Sequence, residues 1–108
     1  MGKHYLLNLY GCTSFLLDDE LFLVDLIREA AIVSGATILK ITSHKFDPIG
    51  VTAIALLSES HISIHTYPEF DSCYVDIYTC GDADPKRGCE FIIKELSPKH
   101  HKMEFINR

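Results

Sequence analysis

The segment "LSESHISIHTYPE", residues 57–69, sets Glu59 beside Ser60 at the break between two strand-like runs, then adds His61, Ser63, His65, Tyr67 and Glu69. A serine hydroxyl becomes a nucleophile only where its surroundings activate it. Taken alone, a serine in such a turn is a hydrogen-bonding turn residue. His61 and His65 lie four apart, on one face of a strand, and metal binding would need a third ligand that no spacing specifies. No metal is expected. Further on, "YTCG" presents Cys80 just before a glycine turn. A thiol, with its ordinary pKa of about 8.5, is protonated at neutral pH yet can give the proton up; without context such a cysteine is a packing residue.

The elements that must position these groups follow from pattern. "KHYLLNLYG" reads as a strand ending at Gly11. Asp18 and Asp19 in front of "ELFLVDLIREAAIVS", with Gly35 just past it, are helix start and stop signals. "ATILKITSHKF", "VTAIALL", "HISIHTYPE" and "SCYVDIYTC" read as strands, with "DPIG" a turn and "SES" a break. Asp84 as N-cap and Pro85 at the first helical position open a second helix, whose apolar face is Cys89, Ile92, Ile93 and Leu96. "HKMEFIN" gives a short last strand. The sum is an α+β fold, a two-layer sandwich with two helices on one face of a mostly antiparallel sheet.

Strand parity then divides the central segment. Ile62 and Ile64 point toward the helices; His61, Ser63, His65, Tyr67 and Glu69 point the other way. Ser60 has the wrong parity for that polar face and is expected in the turn. A face of histidine, tyrosine and acid fits a site at a subunit interface better than a dry core.

Composition sets outer bounds. With 108 residues, 47% of them hydrophobic and 23% charged, the chain holds one core and is not disordered. The net charge of −5, without a run of Lys or Arg, argues against nucleic acid and anionic membrane as partners. The start lacks a signal peptide's apolar stretch, and Cys12, Cys73, Cys80 and Cys89 form no CxxC pair. A reducing cytoplasm is the expected setting, with Cys12, Cys73 and Cys89 as packing residues.

Three motifs together, "HKFDPIGV", "SESHISIHTYPE" and "DIYTCGDADP", resemble the bacterial and archaeal S-adenosylmethionine decarboxylases, small pyruvoyl-dependent enzymes, over nearly the whole chain. The resemblance implies self-cleavage between Glu59 and Ser60 into pieces 1–59 and 60–108. Ser60 would become the pyruvoyl cofactor, which forms a Schiff base with the substrate's amino group. It also implies that His65 assists processing, that Cys80 donates the proton to the decarboxylated carbon, that Phe46 and Tyr67 stack the adenine, and that Glu69 holds the ribose. Two positions depart from the family's habit: Tyr67 stands where tryptophan is usual, and Thr52 where a serine implicated in processing is usual.

The leading expectation is a homodimeric S-adenosylmethionine decarboxylase with its sheets facing, supplying the aminopropyl donor for spermidine synthesis. A pyruvoyl-dependent decarboxylase of ornithine or arginine is the alternative within the same chemistry, because Glu69 suits either pocket. A non-catalytic homologue that only binds is the alternative outside it.

Overall fold

The computed structural model describes residues 1–108. Six strands, β1 (Lys3–Tyr10), β2 (Ile38–Lys45), β3 (Val51–Leu57), β4 (Ser60–Tyr67), β5 (Ser72–Thr79) and β6 (His100–Asn107), form one antiparallel sheet. Their order across it is β2-β3-β4-β5-β1-β6. The two expected helices are α2 (Glu20–Ser34) and α3 (Pro85–Leu96), and both lie on the same face. The two-layer sandwich therefore stands, with two additions: a one-turn helix α1 (Ser14–Leu17) and a 3-10 turn at Pro68–Phe70.

Helix ends are where the capping chemistry places them. The Asp19 carboxylate accepts from the Phe22 amide at 3.0 Å, and Gly35 closes α2 at φ 79°, a left-handed conformation that glycine adopts freely. Asp84 caps α3 by accepting from the Lys86 amide at 3.2 Å, with Pro85 next.

The helices cover the sheet in shares. α2 lies over β2, β3 and β4, and α3 over β5 and β1. Small residues let them approach: Ala53 and Ala55 of β3 are fully buried, and a Cβ at Gly88 of α3 would run into Ser34 Oγ of α2. Cys73 and Cys89 are fully buried and Cys12 nearly so, as packing residues should be. Burial pushes the Cys89 thiol up to about 12, so it is no nucleophile.

Two placements differ from the strand-parity expectation. Ser60 is the first residue of β4, paired with Leu57, and is buried rather than held in the turn. The loop is only Ser58 and Glu59, and Glu59 makes the reversal at φ 59°, so the pleat already holds at Ser60. Glu69 is not on the strand either: Pro68 ends the ladder and Glu69 lies in the 3-10 turn.

Candidate active site

The sequence-predicted residues fall into two groups at opposite ends of the sheet. The first is the hairpin of β3 and β4. Its second loop residue, Glu59, is a non-glycine residue in the left-handed region, a conformation that costs roughly 1–3 kcal/mol and persists only where the surroundings impose it. Cys80, half-buried just beyond β5, donates its S–H to the Glu59 carbonyl oxygen at 3.5 Å. The pairing explains the contact. His61 faces Tyr78 across β4 and β5, and the antiparallel register carried two positions further sets Ser60 against Thr79 and Glu59 against Cys80. The Glu59–Ser60 bond thus lies alongside Thr79–Cys80.

The second group lines an open cleft of about 440 Å³ between the β2–β3 turn and the far end of β4. That volume is within the ordinary range for small-molecule sites. Phe46 and Tyr67 stand at its sides, both more than 40% exposed, with Glu69 on the rim and Thr52 and His65 on the floor. Thr52 and His65 are direct cross-strand partners, and Thr52 Oγ1 meets His65 Nδ1 at 2.9 Å. That contact fixes the imidazole and leaves Nε2 for another group.

The cleft's wall is braced from behind. Asp18, at the junction of α1 and α2, accepts from the Gly50 amide at 2.7 Å and pairs with Lys45 at 3.1 Å. The Gly50 hydrogen bond, more than burial opposes it, holds the Asp18 carboxyl below the usual carboxylate range, and Lys45 adds to the effect. Thr66 Oγ1 accepts from the Val51 amide at 2.9 Å and donates to Leu17 O at 2.7 Å, which seats the end of β4 on α1. The short helix that pattern reading misses is therefore a brace for the cleft.

The structure does not bring the two groups together within one chain. Ser60 and His65 are five residues apart on one strand, about 17 Å at the usual rise, and opposite in parity.

Between the groups, on the open face, lies a cluster that strand-by-strand reading misses. Asp76 Oδ2 accepts from His4 Nε2 and from His61 Nε2, each at 2.7 Å, and Ser63 donates to Oδ1. Burial alone would raise the Asp76 pKa; the hydrogen bonds from Ser63, His61 and His4 outweigh it and bring the carboxyl below its ordinary value. His61 therefore pairs with His4 and Asp76, not with His65. The three donor atoms lie within 4.8 Å of one another, so the ligands absent from the His61–His65 reading come from β1 and β5. Parity does put Asp76 and His61 on open faces of their strands, but only the pairing of β1 with β5 brings His4 to them.

Comparison with known proteins bears on the chain as a whole. The family model described as S-adenosylmethionine decarboxylase matches residues 3–108. An S-adenosylmethionine decarboxylase proenzyme of Prochlorococcus marinus (strain MIT 9211) is 47% identical over 109 residues, covering 100% of this chain and 89% of that one. The proenzyme of the same name from Pyrobaculum arsenaticum is 48% identical over 110 residues, covering 100% and 88%. The crystal structure of the adenosylmethionine decarboxylase from Aquifex aeolicus superimposes with a TM-score of 0.94 at 35% identity, over 100% of this chain and 90% of that one. Matched over nearly its whole length by the family model and by these relatives, the chain belongs to the S-adenosylmethionine decarboxylase family.

Proposed function

We propose that this protein is a proenzyme that cuts itself between Glu59 and Ser60 and, once cut, decarboxylates S-adenosylmethionine using a pyruvoyl group made from Ser60. The observation that carries this reading is the Cys80 thiol donating to the carbonyl oxygen of the Glu59–Ser60 bond, at a hairpin held in a left-handed conformation. Ser60 Oγ attacks the Glu59 carbonyl carbon, and the thiol supports the oxygen as it gains charge. The C–N bond breaks and the nitrogen takes a proton, leaving an ester. Loss of the Ser60 α-proton, taken up by His65 Nε2 of the cleft that a second copy brings over the hairpin, expels the Glu59 carboxylate, and the dehydroalanine left behind takes up water and releases ammonia. The buried serine, its carbonyl neighbour and the thiol donor fit the formation of such a group at this position.

The pyruvoyl group supplies a ketone that condenses with an amine and an adjacent amide carbonyl that draws off the electron pair as carbon dioxide leaves. The chain's own residues bind and move the proton. Phe46 and Tyr67 offer ring faces for an adenine and for a sulfonium cation beside it. Glu69 accepts from ribose hydroxyls. The cut turns the Glu59 carbonyl into a departing carboxylate, so Cys80 Sγ is released to protonate the α-carbon.

The site is completed by a second copy with its open sheet face against the first. Ile54 and Leu56 of β3 and Tyr74 of β5 expose apolar surface there, between polar residues. Two faces packed with strands antiparallel bring one hairpin over the other copy's cleft, which overcomes the separation along β4. Equilibrium sedimentation at micromolar concentration is expected to give a dimer; a fully active monomer would sink this part of the proposal.

The test of function is carbon dioxide release from carboxyl-labelled S-adenosylmethionine, ornithine and arginine by the purified cut protein. Label is expected from S-adenosylmethionine alone. Release from ornithine or arginine instead would assign the cleft to a free basic amino acid, and release from none would leave a binding protein.

A further inference from the structure

Thr79 is fully buried, and its hydroxyl is the one buried side-chain oxygen or nitrogen in the protein without a hydrogen-bond partner. Nearly all buried polar groups are satisfied, so an exception calls for a reason. A valine would fill nearly the same space without stranding a hydroxyl, and replacing such a group by an apolar one is neutral or stabilising. The Thr79 hydroxyl, unpartnered in the precursor, is thus free to bond a group in another state of the chain.

The register supplies that state. Thr79 lies on β5 at the position facing Ser60 of β4, one residue from the Cys80 that touches the Glu59 carbonyl. Ser60 and Thr79 share the helix-covered side of the sheet, with Ile62, Ile64 and Ile77. Side chains directly opposite on adjacent strands have Cβ atoms about 4.5–5.5 Å apart, close enough for two hydroxyls to meet after a change of rotamer. Cys80 attends the carbonyl oxygen, and of the two other atoms that change in the acyl shift, Ser60 N and Ser60 Oγ, it is the side-chain oxygen that lies on the same side of the sheet as the Thr79 hydroxyl.

We infer that Thr79 is a catalytic residue of self-processing whose hydroxyl hydrogen-bonds Ser60 Oγ, an inference that rests on the proenzyme reading above. A hydroxyl can both accept and donate. Thr79 Oγ1 first accepts from the Ser60 O–H and so aims the oxygen at the Glu59 carbonyl. When Oγ has become the ester oxygen, Thr79 donates to it, and that donation strengthens as the carbon–oxygen bond breaks and the departing carboxylate takes the charge. No proton is transferred to Thr79, and no bond to it forms.

The experiment follows fresh precursor of wild type, Thr79→Val and Thr79→Ser into two chains by intact mass, alongside each protein's denaturant midpoint. Thr79→Val is expected to process at least about tenfold more slowly, as for a hydrogen bond made only on the way through the reaction, at an unchanged or higher midpoint. Thr79→Ser, which keeps the hydroxyl, is expected to process within about threefold of wild type. A purely structural role would lower the midpoint along with the rate. Thr79→Val processing at the wild-type rate overturns the assignment to Thr79 and leaves the proenzyme reading intact. A misfolded Thr79→Val passes the decision to Thr79→Ala, where a slow rate in a folded protein supports the assignment and a wild-type rate overturns it. Wild type that never cuts overturns both.

Discussion

Ser60→Ala is expected to remain a single chain of 108 residues and to release no carbon dioxide from S-adenosylmethionine. The methyl side chain cannot form an ester with Glu59, so there is nothing to eliminate and no ketone is made. The loss is large because the carboxylate bond breaks readily only where an electron sink is attached; without it, turnover should fall by at least about 10⁶-fold, the lower end of enzymic rate enhancement. The fold should survive, since Ser60 enters β4 through its backbone pairing with Leu57 and its buried side chain becomes smaller and apolar. Intact mass, a carbonyl-reactive probe and labelled carbon dioxide read the result together. An alanine variant that still cuts would move the cleavage site; one that stays whole yet decarboxylates at the wild-type rate would remove Ser60 from the chemistry.

Cys80→Ala separates two roles of one thiol by their sizes. In the precursor its contribution is a single S–H donor at 3.5 Å to the Glu59 carbonyl, a weak hydrogen bond, so processing should slow by less than about tenfold. In the proposed cut enzyme its assigned role is proton donor to the α-carbon, and removing a general acid costs about 10²–10⁴-fold. Cys80→Ala protein left long enough to process fully should therefore bind substrate with little change and turn over at least about a hundredfold more slowly. The comparison to make is kcat per carbonyl-bearing chain, which removes the contribution of uncut precursor. Fully cut Cys80→Ala turning over at the wild-type rate would place the proton donor elsewhere.

Much of this architecture is readable from local chemistry. The ends of α2 follow from Asp19 and Gly35, and the bounds of β3 from a glycine on one side and the "SES" break on the other. What escapes is decided by other parts of the chain. Ser60 is misplaced by parity because Glu59 alone absorbs the reversal at a positive φ that no sequence rule assigns to glutamate. The four residues of α1 carry no acid in their first turn and make no periodic pattern, so their role as a brace appears only through Thr66 and Asp18. The His4–Asp76–His61 cluster depends on strand order, which places β1 beside β5 although 60 and more residues separate them, and the opposition of Ser60 and Thr79 emerges only when the β4–β5 register is extended by one position.

That strand order also bears on what the proposed cut would do to the protein's durability. The proposed cleavage after Glu59 would assign β1, β2 and β3 to one piece and β4, β5 and β6 to the other, and across the sheet the pieces would interleave, with β1 clasped between β5 and β6. Three of the five strand junctions would then join different molecules, and each piece would keep only one strand pair of its own, β2 with β3 and β4 with β5. The precursor finds this weave in a single unimolecular search, whereas the cut protein, once melted, must reassemble from separate fragments at a rate set by their concentration. Its durability is therefore a matter of how slowly it opens, and heating that a precursor survives by refolding would be a permanent loss for the mature enzyme.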